Sequence, residues 1–464
     1  MIDIALVAVY LAAILVFGLL YGARTSTFEG YAVAGRSYGP MVVFATLSAS
    51  FIGGGFSIGN AEKVFLFGIA NIVALWGFSA KEILVARYLA PRMNRFQDAV
   101  SVGDIMATNF GRTGRLISGV FSLLLCCGIV GAQIGAIGAV FNVFLGLSIP
   151  LGVAIGCGIV IVYTTVGGMR AVVLTDILQF LVLSVGIPLV LVFGVIYVGG
   201  VDGLVVAVPP DRWTLPGPHY SWIGVIALFL AFLLGETLVP PYVQRLLIGR
   251  NAAAVARGTM LSGLFSIPFF AISSLIGLVA LALDPAMPAN LALPQVVMTV
   301  MPPVLKGFVI AGIISVVMSS ADSFLNAAAV ASVNDIARPL WPKQIAKGGA
   351  LLMARVVTLV VGIGAVVFAL TIESLLDILL IAYTYWAPVM VVPLAATIFG
   401  VRRSIRAFVA AAVAGVVTAF AWNLLLGKPA EIEGFVVGVL VNGAIFMLAR
   451  SGGWATSRRA VARK

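Results

Sequence analysis

The stretch "VMSSADSFLN", residues 317–326, sets three serines, an aspartate and an asparagine inside a long apolar run. Ser315, Ser319, Asp322, Ser323 and Asn326 fall at spacings of three and four, which on a helix puts them along one face. An aspartate at the centre of a bilayer costs about 2.5–3.5 kcal/mol on insertion scales. Such a residue calls for a partner, a cavity or an ion. A serine stripe also serves helix packing, which accounts for the hydroxyls but not for Asp322. A second carboxylate, Asp176 in "GGMRAVVLTDILQF", lies at the start of another apolar run. It caps its helix or pairs with Arg170, or else meets Asp322 on a facing helix. Carboxylates, hydroxyls and carbonyls freed by a broken helix are the ligands a hard cation such as Na⁺ takes.

Other chemistries find little support. His219 is the only histidine, and the three cysteines, Cys126, Cys127 and Cys157, all lie in apolar runs. Adjacent cysteines face different sides of a helix and make a poor metal pair. No HExxH, no Cys/His cluster and no Ser-His pair is present, so an enzyme is not expected.

The elements that must position these oxygens are membrane helices. The 464 residues are 62% hydrophobic and 10% charged, too little charge to cover a water-soluble protein of this size. Apolar runs of roughly 17–25 residues, enough to cross a bilayer, recur from end to end. Thirteen spans are expected, near 2–22, 41–63, 65–86, 116–145, 149–166, 171–199, 221–244, 259–283, 303–333, 351–371, 374–398, 404–426 and 433–450. The N-terminal "MIDIALVAVY" has no basic stretch or clear cleavage site and reads as a retained helix.

The net charge of +11 is distributed by loop. With the N-terminus outside and the C-terminus cytoplasmic, the inner loops hold Arg87, Arg92 and Arg95, then Arg245, Arg250 and Arg257, then Arg402, Arg403 and Arg406. The outer loops hold little beyond Arg212, Lys306 and Lys428. This is the positive-inside pattern. It assigns the basic residues to topology, with the lipid bilayer as partner and no nucleic acid.

Two spans carry interruptions. The span at 41–63 contains "SASFIGGGFSIGN", and the span at 221–244 contains "LLGETLVPPYVQR" with Glu236 beside Gly235. Consecutive glycines and a Pro-Pro pair both break helices. The two spans open two five-span blocks, 41–199 and 221–398. An odd span count inverts the second block, and matched interruptions in two halves point to a transporter's binding site. A single membrane transport domain is expected, with a leading helix at 1–22 and trailing helices at 404–450.

The motifs "YTTVGGMRAVVLTDILQF", "PPYVQRLL" and "VIAGIISVVMSSADSFLNAAA" together resemble the sodium:solute symporter family over roughly residues 20–400. The resemblance implies an all-α, LeuT-type five-plus-five inverted repeat in the cell (inner) membrane, and sodium-driven import of a small organic solute by alternating access. It implies a first sodium site from the carbonyls of Ala49, Ile52 and Val316 and the hydroxyls of Ser319 and Ser320. A second sodium site would draw on Asp176, Ser319, Asp322 and Ser323, with Asp322 standing where certain relatives have a serine. In motif the chain is similar to the choline-transporter-like branch, whose aromatic boxes hold cations. It keeps Phe51 at the first break but has Ile129 and Val239 where that branch is aromatic. Phe51, Gln133, Glu236 and Thr237 are expected around the solute. Tyr383, Tyr385 and Trp386 form its outer lid or belong to the aromatic belt of the interface. A proton-coupled cycle through Asp176, Asp322 or Glu236 is the rival reading. A channel would need a pore ring or filter, and none is visible.

Overall fold

The computed structural model describes residues 2–51, 54–217, 219–345, 349–369 and 375–449. Among them the regular structure is helical throughout. Fifteen helices matter here. They are α1 (Ile2–Gly22), α2 (Pro40–Phe51), α3 (Gly54–Phe67), α4 (Ala70–Leu84), α5 (Val102–Leu145), α6 (Ile149–Gly167), α7 (Met169–Tyr197) and α8 (Trp222–Leu234). Then follow α9 (Pro240–Leu247), α10 (Ala252–Leu283), α11 (Leu305–Val330), α12 (Ala350–Ala369), α13 (Leu375–Phe399), α14 (Ile405–Leu424) and α15 (Gly434–Leu448).

Among the described residues, nine helical stretches are long and apolar enough to cross a membrane alone. The other four expected spans, 41–63, 65–86, 221–244 and 433–450, fall on shorter helices or on helix pairs. The glycine break expected in the first span, and the Ile52 ligand expected there, involve residues 52–53, which lie outside the described residues.

The second interruption is described fully. α8 ends at Leu234 and α9 begins at Pro240. Leu238 between them has φ +56°, a left-handed conformation that no continuing α-helix holds. Pro240 and Pro241 occupy the first turn of α9, where their missing N–H groups interrupt no ladder. A third local device shapes α5. Gly111 there has φ 61° and ψ −152°, which only glycine adopts without strain, and it separates a short first segment from the membrane-spanning part.

Burial ranks the helices. In the span Leu305–Leu340, 94% of the most apolar window is buried, against 22% for α1. α11 is therefore the central helix and α1 a peripheral one. α11 packs on α5 and α7, and α10 packs on α2, α3 and α4. α8 lies against α4, so the second interruption is held beside that helix. Small residues make this approach possible. A Cβ at Gly77 of α4 would sit 2.1 Å from the carbonyl oxygen of Phe229 on α8.

Candidate functional site

The polar stripe of α11 is buried along its whole length, and its members divide into packing and clustered groups. Ser315, at the stripe's N-terminal end, donates to Ala311 O (2.6 Å) and meets the Tyr10 hydroxyl of α1. At the other end the Asn326 amide donates to Tyr31 O (3.2 Å) and accepts from Gln244 of α9 (3.3 Å). These two residues tie helices together. Between them, Ser319, Ser320, Asp322 and Ser323 meet α2, α6, α7 and α9.

Asp176 is the hub. Its Oδ1 accepts from Ser319 Oγ at 2.6 Å. Its Oδ2 accepts from the Thr46 hydroxyl, from Ser50 Oγ at 3.2 Å and from Arg245 Nη2 at 3.0 Å. Arg245 is fully buried. It also donates to Ser50 Oγ and Ser323 Oγ, each at 2.5 Å, and to Pro241 O at 3.1 Å. This corrects the assignment of Arg245 to a basic inner loop. The side chain points into the protein because α9 packs on α2 and α11 and carries Arg245 on that face. Asp176 likewise does not pair with Arg170, whose guanidinium donates to Arg24 O at 3.3 Å.

Asp322 receives the Tyr163 hydroxyl from α6 and lies 3.0 Å from Ser323 Oγ. Among the described residues it has no basic group within ion-pair distance. Arg245 thus pairs with Asp176 and reaches Asp322 only through Ser323 Oγ, and among the described residues the cluster holds one more carboxylate than cations. A buried charge left unpaired is costly, so the arrangement favours a monovalent cation or a proton. Tyr163 went unnoticed in the sequence, where a tyrosine in an apolar span has no distinguishing mark.

Of the first expected sodium set, Ser320 and Val316 come together beside Ser50 of α2. Ser320 Oγ donates to Ser50 O at 2.9 Å and to Val316 O at 3.3 Å. Ala49 and Val316 are fully buried. Ser319 turns instead toward Asp176 and Ser50 Oγ (3.4 Å). The two adjacent serines therefore face different ligand groups.

The residues expected around the solute are only partly together. The Tyr383 hydroxyl donates to Glu236 Oε1, and Trp386 Nε1 donates to Thr237 O at 3.4 Å. The Thr237 hydroxyl donates back to Leu233 O and closes the end of α8. Gln133 on α5 is buried. Tyr385 stands apart, 39% exposed, with its ring 5.1 Å from that of Phe420. Neighbouring positions on a helix point in different directions, so Tyr385 cannot share the face of Trp386.

Phe51 does not offer an open aromatic face. Lys81 Nζ lies 5.5 Å from its ring centre and Arg245 Cζ 5.8 Å. Lys81 is buried on α4, 3.0 Å from Glu82 Oε1. Its ammonium also lies 3.7 Å from the Phe78 ring and 4.7 Å from the Tyr242 ring. Tyr242 in turn donates to Glu82 Oε2 at 3.1 Å. This charged pair was missed, although "GFSAKEIL" inside an apolar run was its visible signal.

The sequence model of the sodium:solute symporter family matches residues 31–427. The chain belongs to that family. The match covers α2 and α3, the interruption between α8 and α9, α11 and α14, and leaves all of α1 and all of α15 outside. Against the high-affinity proline transporter PutP of Bacillus subtilis (strain 168) the chain is 25% identical, over 76% of its length and 78% of the transporter's. Against high-affinity choline transporter 1 of Drosophila melanogaster it is 26% identical, over 80% of its length and 62% of that protein's. Among solved structures, a Na⁺-coupled sialic acid symporter in a substrate-bound outward-open state matches with a TM-score of 0.81 at 21% identity, covering 98% of this chain and 99% of that one. The fold is therefore LeuT-type, and this sodium:solute symporter family member is a multi-pass membrane protein whose relatives are transporters. Proline and choline carriers stand at similar identity, so the choline branch is not singled out.

Proposed function

We propose that this chain is a sodium-coupled secondary active symporter that imports a small organic solute by alternating access. One observation carries the reading. Two fully buried carboxylates, Asp176 paired with Arg245 and Asp322 without a basic group in ion-pair distance among the described residues, lie on Ser319 and Ser323 near the Ser50 carbonyl of α2. The family supports sodium as the ion that completes such a cluster. In this reading the first sodium is held by Ser320 and Ser319 with the carbonyls of Ala49, Ile52 and Val316. A second sodium would lie on the Asp322 side with Ser323, because Arg245 already holds Asp176 Oδ2.

The solute sits between the interrupted segments, against Glu236, Thr237 and Gln133, and Tyr383 with Trp386 closes over it. Thirteen spans give an outside N-terminus and a cytoplasmic C-terminus in the cell membrane, and the blocks 41–199 and 221–398 move against each other. Uptake into proteoliposomes tests the reading. The panel covers amino acids, organic cations, monocarboxylates, vitamins and sialic acid, driven by a sodium gradient with pH gradients as control. Accumulation that follows sodium supports it. Accumulation that follows only the pH gradient would move the coupling to a proton.

A further inference from the structure

The second helix interruption has a lopsided chemistry. Glu236 lies in it, buried, with Oε1 taken by the Tyr383 hydroxyl and Oε2 without any hydrogen-bond partner. Among the described residues no basic group is within ion-pair distance of that carboxylate. The buried cations of the neighbouring helices form their ion pairs with other carboxylates, Lys81 of α4 with Glu82 and Arg245 of α9 with Asp176. The backbone leans the same way. α8 ends at Leu234, so its negative dipole end faces the interruption. α9 begins with Pro240 and Pro241, so two of the N–H groups with which a helix start would bind an anion are absent. The carbonyls of Leu233, Leu234 and Thr237 already have donors, so Glu236 Oε2 is the acceptor left open here.

Resting on the symport reading above, we propose that the solute carries a positively charged nitrogen bearing N–H groups, and that Glu236 receives it. An N–H donor completes Oε2 and neutralises the only carboxylate of the interruption that has no cation. An anionic solute would meet that carboxylate, with no basic group of the described residues within ion-pair distance of it. A quaternary ammonium has no N–H to give and depends on aromatic faces. The rings of Phe51, Phe78 and Tyr242 already surround the Lys81 ammonium. Glu236 is therefore the specificity-determining residue. Lys81 and Glu82 act behind it, as a neutral pair that keeps the aromatic rings occupied.

The test reads the charge preference of the site without knowing the solute. In full-length protein with Cys126, Cys127 and Cys157 replaced by alanine, Thr237→Cys is reconstituted in liposomes. Its modification rate is measured with aminoethyl, trimethylammonioethyl and sulfonatoethyl methanethiosulfonate, each normalised to a free thiol. The aminoethyl reagent should react about tenfold or more faster than the sulfonate, as one unpaired carboxylate at close range dictates, with the quaternary reagent slower than the aminoethyl one. Adding Glu236→Gln should bring the anionic and cationic rates to within about threefold, while Glu236→Asp, which keeps the charge, retains the preference. Equal rates in the parent, a preference that survives Glu236→Gln, or no reaction with any reagent would overturn the proposal. Sodium is varied in the same experiment. Rates that ignore sodium yet keep the charge preference count against symport and leave the nitrogen class standing.

Discussion

Arg245→Gln is the perturbation with the sharpest consequence. The guanidinium bonds Asp176, Ser50, Ser323 and the Pro241 carbonyl while fully buried. Its removal leaves Asp176 and Asp322 with no protein cation between them. Breaking a buried ion pair by deleting one partner costs about 3–5 kcal/mol, so the unfolding midpoint of the purified protein should fall well below that of the parent. The sign of the sodium effect then follows from charge. The parent cluster lacks one positive charge and the variant lacks two, so Na⁺ should stabilise the variant more. At about 5 Å and an effective dielectric constant near 20, one added charge is worth about 3 kcal/mol. Solvent entering the gap reduces this, and a gain of about tenfold in apparent sodium affinity is a fair expectation. Asp176→Asn added to Arg245→Gln removes the orphaned charge and should recover a large part of the lost stability. The assay is thermal unfolding in detergent across a sodium titration, with choline chloride holding ionic strength. An Arg245→Gln midpoint equal to the parent's, or a double variant no better than Arg245→Gln, would refute the charge reasoning.

Three further expectations follow from particular contacts. Ser320→Ala removes the hydroxyl that faces Ser50 O and should raise the sodium concentration for half-maximal uptake by about tenfold, with thermal stability little changed; an unchanged sodium dependence removes Ser320 from the ion's ligands. Gly77→Ala puts a methyl 2.1 Å from the Phe229 carbonyl oxygen, so α4 and α8 must separate. The expected loss is about 1–3 kcal/mol, together with reduced uptake, because α8 leads into the interruption that holds Glu236; unfolding at the parent midpoint would contradict this. Cysteines placed at 211 and 404 of a cysteine-free chain should react with impermeant maleimide from opposite sides of the membrane. Labelling of both from one side would rule out the thirteen-span topology.

Much of the fold was legible because its causes are local. Apolar length alone marks membrane helices, and "PPYVQRLL" marks a helix start after an interruption. The stripe on α11 was also visible, since a face of a helix depends only on spacing. What that face meets does not depend on spacing. Ser319 and Ser320 are neighbours in the chain, yet one reaches Asp176 and the other the Ser50 carbonyl. That division is decided by the directions in which α7 and α2 arrive.

Arg245 shows the same limit for charge. At a helix end beside Arg250 and Arg257 it carries the sequence signature of a cytoplasmic loop, and only the packing of α9 on α2 and α11 turns it inward. Tyr163, Lys81 and Tyr385 follow suit. An aromatic or a lysine in an apolar span can pack, snorkel or bind, and the choice rests on which helix lies opposite. The sequence by itself determined that oxygen and carboxylate would be buried at mid-membrane. Only tertiary structure decided that Arg245 pairs with Asp176 and Lys81 with Glu82, and that Glu236 has no basic group within ion-pair distance among the described residues, because burial and pairing are properties of neighbours that the chain brings together from far apart.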